Sequence, residues 1–357
     1  MNIFATSLWT PYTGIEFSED KYITNALWRD VLLKYGNITF TELEKSQLVF
    51  LFISFTGEKF KFDESLANKI EFLQIPIIIF DYSEYGQDGA WDRLFEYNIF
   101  GYNTEYYNIL NRKDSLLLHG FLERNQHLIK CYFKRELNNN TDNSKIPFKV
   151  FPIEYISDNY IYNNLAQTSD EYFNRKIHYS FIGGSTNRSR IKLYGNILKN
   201  IDKFRCEVAT SFKQCDKRLE ENSHFIFLNH VQWYERTEYK KLLEYQLNTR
   251  VVMDMYGCGL KCFRNVESTY NSLSAKQDPT VLKFTHPWID KENCIVLPNK
   301  PGTLLIDEKL SVEILLYYRK NQHLLYPIYL KSLDTNKLYS PANYVPNHVM
   351  KNIKESL

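Results

Sequence analysis

Short apolar runs rich in β-branched and aromatic residues alternate along the chain with longer stretches in which apolar residues recur at helical spacing. This alternation is typical of an α/β fold with parallel sheets, because amphipathic helices cover the faces of buried strands. In the first half the predicted strands span residues 2–6, 48–55, 75–81, 115–120, 127–133 and 148–155. The predicted helices of this half lie near residues 20–35, 63–73 and 104–111.

A polar, turn-rich segment at residues 136–147 interrupts this rhythm, which then starts again. In the second half the predicted strands span residues 176–184, 224–228, 249–255 and 294–297, and the predicted helices lie near residues 190–201, 236–247, 264–274, 303–320 and 345–356. We therefore predict two α/β domains, at residues 1–158 and 159–340, followed by a final helix within 341–357.

The 357 residues are 44% hydrophobic and 24% charged, with a formal net charge of +2. This is the composition of a globular protein, and a net charge this small does not by itself indicate nucleic-acid binding. The longest apolar run, at residues 48–55, is far shorter than the roughly 20 residues that cross a bilayer, and the opening residues lack the pattern of a signal peptide. We expect a cytoplasmic protein without a transmembrane segment, in the host cytoplasm if its source is a phage or a virus.

The six cysteines are scattered along the chain, which indicates free thiols rather than a disulfide framework. Cys258 and Cys262 form the sequence CGLKC, but a second pair of ligands at a spacing typical of zinc sites is missing. We predict no metal site there.

The sequence FIGGSTNRSR, at residues 181–190, places glycines between a predicted strand and a predicted helix. Gly183 and Gly184 allow backbone N–H groups to approach an anion, and the helix N-terminus favours the same negative charge. Ser185 adds a hydroxyl, and Arg188 and Arg190 are long enough to donate to a diphosphate. The alternative is a flexible surface turn followed by a solvated helix start. Between residues 175 and 205 there are eight Lys or Arg and one acidic residue, so we also predict a basic patch here.

A second glycine segment, YGCGLKCFRNVES, follows the predicted strand at 249–255. Gly257 and Gly259 precede Arg264 and Glu267, which lie three positions apart on one face of a predicted helix. An arginine and a glutamate at a glycine loop can hold a phosphate and ribose hydroxyls, respectively. Glu267 is equally compatible with a role that only stabilises the helix dipole.

In the first half, Asp81 ends a run that is apolar enough to be a buried strand. Ligand sites of open α/β sheets form at the carboxyl ends of strands, so Asp81 is a candidate general base, with Glu84 as a substitute. A carboxylate that caps the following turn is the alternative. Trp9 and Tyr12 are candidates for the acceptor side, while Lys134 and Arg135 are predicted to form a solvated charged edge.

Together these motifs resemble the GT-B glycosyltransferases. In that family a glycine-rich turn with a nearby arginine meets the diphosphate of a nucleotide sugar, and an R-x-x-E pair on a later helix holds phosphate and ribose. Here GGSTNRSR at 183–190 corresponds to the first motif and Arg264 with Glu267 to the second. PWIDKENCIVLP at 287–298 resembles the stretch that follows the pair in bacterial and viral surface-glycan transferases. The resemblance implies two Rossmann-like domains that face each other across a cleft, with the donor against the second domain and the final helix crossing back to the first.

A narrower resemblance is to the DNA beta-glucosyltransferases of T-even phages. FPIEY at 151–155, the GGS turn, and then Arg264 and Glu267 occur in the same order there, although the spacing of the arginines after GGS differs. This resemblance places the catalytic base on Asp81.

The resemblances imply a transferase for a hexosyl or pentosyl group, with a nucleoside-diphosphate sugar such as a UDP-sugar as donor and no metal cofactor. A hydroxyl of a glycan is the expected acceptor, in glycan biosynthesis. Two alternatives stay open. One is DNA modification, in which the acceptor is a hydroxymethylated base of duplex DNA; the other is a non-catalytic binding protein that keeps the nucleotide fold.

Overall fold

The chain divides into two compact units. Residues 1–159, 281–285 and 339–357 form the first unit, and residues 160–280 and 286–338 form the second. The computed structural model describes residues 1–6, 9–10, 31–53, 61–81, 113–137, 139, 146–154, 165–184, 188–231, 239–256 and 271–357.

The first unit is built on a six-stranded parallel sheet with the strand order β3-β1-β4-β6-β7-β8. Its strands are β1 (Asn2–Thr6), β3 (Thr39–Phe40), β4 (Leu48–Ile53), β6 (Ile77–Asp81), β7 (Ile129–Lys134) and β8 (Lys149–Pro152). A short antiparallel pair joins β2 (Trp9–Thr10) to β5 (Lys61–Phe62). The helices between the strands include α1 (Glu64–Leu73) and α2 (Lys113–Arg124). Every residue of β6 is buried, as expected for a central strand covered on both faces.

The second unit also contains a six-stranded parallel sheet, with the order β10-β11-β9-β12-β13-β14. Its strands are β9 (Ile177–Gly184), β10 (Glu207–Ala209), β11 (Phe225–Val231), β12 (Thr249–Asp254), β13 (Leu273–Gln277) and β14 (Ile295–Leu297). Its helices include α3 (Ser169–Phe173), α4 (Arg188–Lys199), α5 (Ile201–Phe204), α6 (Phe212–Glu220), α7 (Tyr239–Leu247), α8 (Glu308–Lys320) and α9 (Leu325–Leu338). The two parallel sheets confirm the predicted α/β fold with two Rossmann-like units.

Two predictions of secondary structure are wrong, and several helices, α9 among them, were not predicted. Residues 115–120, predicted as a strand, lie within α2. The end of the predicted helix at 264–274 belongs instead to β13, whose five residues are all buried. Helix α9 was not predicted, because Pro327 interrupts its pattern; proline is tolerated in the first turn of a helix, where its missing N–H is not needed.

The first unit is completed by the C-terminal segment, which comprises α10 (Pro341–Tyr344), a π-helix (Val345–Met350) and α11 (Lys351–Lys354). The buried carboxylate of Glu154, just after β8, accepts hydrogen bonds from the Tyr344 hydroxyl and from the backbone and hydroxyl of Thr285. His348 lies 2.8 Å from the Pro152 carbonyl. Glu154 thus joins three separate stretches of the chain within this unit.

A cluster of basic side chains lies at the amino edge of the second sheet. The rings of His178 and His224 stack with their centroids 5.3 Å apart. Arg250 donates to the carbonyl of Arg175 and lies 3.3 Å from His224 Nδ1. Burial, together with the positive charges of Arg250 and Arg319, lowers the pKa of His178 to about 2. His178 is therefore neutral in the folded protein at neutral pH.

This depressed pKa predicts acid-sensitive stability. The unfolded chain binds a proton at His178 below its ordinary pKa of about 6.5, whereas the folded protein does not, so the stabilising effect is complete above pH 6.5 and is lost as the pH falls toward 2. We expect His178 to contribute a loss of about 1.4 kcal/mol per pH unit in this window. Urea unfolding of wild type and His178→Phe at pH 7 and pH 5 measures the difference. The exposed His323→Phe serves as control, and equal pH slopes for wild type and His178→Phe would contradict the prediction.

Among the described residues, none of the helices is both long and apolar enough to cross a membrane.

Candidate functional site

The carboxyl edge of the second sheet contains a topological switch point between β9 and β12. After β9 the chain first adds β10 and β11 on one side and then β12 on the other side. Ligands of open α/β folds bind in the crevice that such a reversal creates. β9 ends with Gly183 and Gly184 at this point, so the structure places these two predicted residues at the expected position.

Helix α4 begins at Arg188, four residues after β9 ends. Its N-terminus therefore lies at the same carboxyl edge, where its partial positive charge favours an anion. The side chain of Arg188 is exposed, so its guanidinium is accessible to a ligand. Glu308 opens α8 beyond β14, and Lys300 Nζ lies 3.0 Å from its carboxylate. Both helix N-termini follow parallel strands and belong to this edge.

Arg190 has a different environment from Arg188. It is 7% exposed, and its guanidinium donates from Nε to the Tyr256 carbonyl at 2.6 Å and from Nη2 to the Met255 carbonyl at 3.0 Å. These carbonyls belong to the two residues that follow β12, on the other side of the switch point. The diphosphate contact of Arg190 stays a prediction; the structure shows that two of its donors bind the backbone.

Ser189 and Gln277 extend this contact to two further strand ends. The Ser189 hydroxyl accepts from the backbone N–H of Ile306 at 3.0 Å and from Gln277 Nε2 at 3.5 Å. Gln277, the last residue of β13, also donates to the Leu304 carbonyl and accepts from the Tyr256 N–H. The first turn of α4 is therefore hydrogen-bonded to the last residue of β13 and to the segments that follow β12 and β14.

In the first unit, Asp81 ends β6 and lies directly opposite Lys134 of β7. Asp81 is 1% exposed; its Oδ2 accepts from Lys134 Nζ at 2.8 Å and from the Tyr132 hydroxyl. These two hydrogen bonds hold the carboxylate in place at the end of β6. The predicted solvated edge at Lys134 and Arg135 is wrong, because both side chains are buried and each contacts a buried carboxylate, that of Asp81 or Glu136.

The second unit repeats this arrangement. Asp254 ends β12, lies opposite Lys276 of β13, and its Oδ2 is 2.8 Å from Lys276 Nζ. Both side chains are almost completely buried, and Lys276 Nζ lies 4.3 Å from the centroid of the Trp288 ring. Each unit thus has an aspartate at the end of a central strand that is paired with a lysine of the neighbouring strand. Sequence reasoning missed Lys276 and assigned Lys134 to a solvated edge; for Lys134 the available signal was its position at the end of an apolar run.

The basic stretch at 175–205 does not form one patch. Arg175 precedes β9 and Arg188 follows it, so the length of the strand separates them by about 25 Å. Arg175 is buried and donates to the carbonyls of Thr249 and Asn271. Since α4 returns from the carboxyl edge, Lys199 lies at its far end. The carboxyl edge therefore has fewer exposed cations than the sequence suggested.

Several predicted site residues lie outside the described residues. These are Tyr12, Glu84, Ser185, Gly257, Gly259, Arg264 and Glu267. Trp9 is described as part of β2, opposite Phe62 of β5. The roles assigned to all of these residues stay predictions.

No protein-family model and no curated protein matches this sequence. Solved structures do match. An alpha-glucosyltransferase in complex with UDP and a 13-mer DNA containing an HMU base is similar over 99% of both chains, with a TM-score of 0.52 and 10% identity. An alpha-glucosyltransferase with UDP matches 99% of this chain and 100% of its own at 9% identity and a TM-score of 0.49. Anabaena HepE in complex with UDP and glucose matches 99% of each chain at 11% identity and a TM-score of 0.44. The likeness at 0.52 confirms the resemblance to the GT-B enzymes at the level of the fold.

Proposed function

We propose that this protein is a glycosyltransferase that moves a sugar from a UDP-sugar to a hydroxyl group of an acceptor. The observation that carries the proposal is the likeness in fold, over 99% of both chains, to an alpha-glucosyltransferase that holds UDP. The glycine-ended strand β9 and the N-terminus of α4 at the switch point support it independently, since this is where an α/β sheet binds a diphosphate.

The proposed donor site is the carboxyl edge of the second sheet. Gly183 and Gly184 leave room for the diphosphate near the N-terminus of α4, and the exposed Arg188 donates to its oxygens. From the sequence we assign Arg264 to the leaving phosphate and Glu267 to the ribose. Helix N-termini and arginines stabilise the charge that develops on the departing diphosphate, so we propose that transfer needs no metal ion.

In the proposed reaction, the acceptor oxygen attacks the anomeric carbon while the bond from that carbon to the diphosphate oxygen breaks. The nucleoside diphosphate leaves with the bonding electrons. For an inverting transfer, the acceptor proton passes to the carboxylate of Asp81, which Lys134 and Tyr132 hold in place by hydrogen bonds. The acceptor must then approach the carboxyl edge of the first sheet.

We propose two classes of molecule as the acceptor. A glycan hydroxyl is the first, as the resemblance to surface-glycan transferases implies. A hydroxymethylated base in duplex DNA is the second, supported by the DNA with an HMU base that is bound to the structural neighbour. Assays with an oligosaccharide panel and with hydroxymethylated duplexes separate the two. Duplex binding that is insensitive to salt would count against DNA, because phosphate contacts release counterions.

Donor binding gives the first test. We expect UDP at one hundred times its dissociation constant to stabilise the protein by about 2.7 kcal/mol, which raises Tm by roughly 5–10 °C. Arg188→Ala is expected to weaken UDP binding about 10- to 150-fold, because it removes hydrogen bonds from a charged donor to the diphosphate. Thermal shift and titration calorimetry, each with and without EDTA, measure both effects.

Lys192, which is half-buried on the same helix, provides the matched control. Lys192→Ala is expected to leave UDP affinity within about threefold of wild type, as surface substitutions usually change free energies by less than about 0.5 kcal/mol. Absence of any UDP-dependent shift in wild type would contradict the proposed donor. UDP-sugar binding without transfer to either acceptor class would favour a non-catalytic binding protein, and loss of binding in EDTA would refute metal independence.

A further inference from the structure

Arg190 lies next to the proposed donor site but is directed into the protein. Its Nε and Nη2 donate to two consecutive carbonyls, those of Tyr256 and Met255, at 2.6 and 3.0 Å. The guanidinium carbon also lies 5.9 Å from the centroid of the Phe181 ring, on β9. A planar guanidinium with several donors in fixed directions is suited to hold two adjacent oxygens at once.

The two sides of the switch point meet through this side chain. Arg190 belongs to the first turn of α4, which follows the glycines of β9, while Met255 and Tyr256 follow β12 and lead along the sequence to Gly257. An open α/β sheet splays at its switch point, because the chain leaves in opposite directions on the two sides. A buried charged contact across that point fixes the separation of the two strand ends.

The surrounding contacts strengthen the same junction. Ser189 accepts from the Ile306 N–H, and Gln277 accepts from the Tyr256 N–H while donating to the Leu304 carbonyl. Ser189 and Gln277 are almost completely buried, so these hydrogen bonds are shielded from water and hold their geometry. The exposed Arg188, two positions before Arg190, is the cation of this turn that a ligand can reach.

We infer that Arg190 is a positioning residue of the donor site, which sets the distance between the N-terminus of α4 and the end of β12. Of the two arginines, Arg188 alone contacts the diphosphate. This inference rests on the proposed function, since it requires a nucleotide at this edge. The two arginines of this short motif thus have different roles: Arg188 contacts the ligand, and Arg190 holds the backbone beside it.

The experiment compares Arg190→Lys with Arg188→Ala, using UDP and uridine as probes at a temperature where every variant is folded. Arg188→Ala is expected to weaken UDP binding by at least tenfold and to leave uridine binding unchanged, because uridine has no phosphate. Arg190→Lys keeps the positive charge but removes the planar guanidinium, whose two donors bind the Met255 and Tyr256 carbonyls together. We expect it to lower Tm by about 5 °C and to weaken UDP and uridine by the same factor, on the order of tenfold, since the strand end moves for both probes.

Ser189→Ala tests the same junction by a second route and guards against a folding failure of the arginine variant. It is expected to weaken UDP and uridine in equal ratio, by about threefold to tenfold. If Arg190→Lys weakens UDP while uridine binding is unchanged, Arg190 is itself a diphosphate ligand and the inference is wrong. If Tm falls but both affinities equal those of wild type, Arg190 serves the fold alone and the inference is equally wrong. Wild type that binds neither probe would refute the proposed donor and, with it, this inference.

Discussion

Asp81→Asn is expected to lower kcat for glycosyl transfer by about 10²- to 10⁴-fold, the usual contribution of a general base. The amide keeps the shape of the carboxylate at the end of β6 but cannot accept the acceptor proton. Measured at saturating donor and acceptor, kcat reports this step separately from the affinity for UDP, which we expect to stay within about threefold of wild type. The variant also weakens the ion pair with Lys134, so stability must be followed in parallel.

Asp254→Asn is the matched control for Asp81→Asn. Both aspartates end a buried strand, face a lysine of the neighbouring parallel strand, and lie 2.8 Å from its Nζ. Both variants therefore weaken a buried ion pair between an aspartate and a lysine, while the base is proposed only at Asp81. If kcat of Asp81→Asn stays within tenfold of that of Asp254→Asn, the carboxylate of Asp81 is only a partner of Lys134, and another group takes the acceptor proton.

The second large effect is expected on stability, at the ion pair between Asp254 and Lys276. Removing one member, in Asp254→Leu or Lys276→Met, leaves the opposite charge buried without it and is expected to cost about 3–5 kcal/mol. Replacing both is expected to recover most of this loss, because the desolvation of the two charges disappears together and the methionine side chain introduced at position 276 packs on Trp288. A double-mutant cycle, measured by urea unfolding and amide hydrogen exchange of β12 and β13, gives the coupling free energy.

Additive losses in the double variant would contradict this expectation and would show that the two side chains contribute through separate contacts. Lys217→Met offers a control, because the ion pair of Lys217 with Glu221 lies on the exposed face of α6. Such surface pairs contribute about 0–1 kcal/mol, so the control is expected to change stability very little.

The strongly apolar strands could be predicted from the sequence. A strand that is buried on both faces has apolar side chains at successive positions, so it appears in the sequence as a short run without polar residues. β4 shows that pattern throughout and β6 shows it up to Asp81, and both were predicted nearly to their ends. The Leu-rich run at 115–120 shows the limit of this rule. Its apolar residues continue to Phe121 and Leu122, so the buried positions follow helical spacing once the longer segment is considered.

β13 could not be predicted, because its polar residues find partners that are distant in sequence. Ser272, just before it, donates to the Gln246 carbonyl, Lys276 pairs with Asp254, and Gln277 donates to the Leu304 carbonyl. A sequence pattern shows that such residues are polar, but not that each is satisfied inside a sheet. Arg190 is the same case at the candidate site: its charge was visible, and the two carbonyls that it holds were not.

The assembly of the first unit from three separate stretches of chain has a consequence for biosynthesis. A ribosome makes residues 1–159 before the rest of this unit, because residues 281–285 and 339–357 are synthesised later. The second unit is complete once residue 338 has emerged. Although domains usually fold in the order of their synthesis, here the earlier-made unit closes last. The strands of the first sheet are therefore synthesised before the residues that donate hydrogen bonds to Glu154.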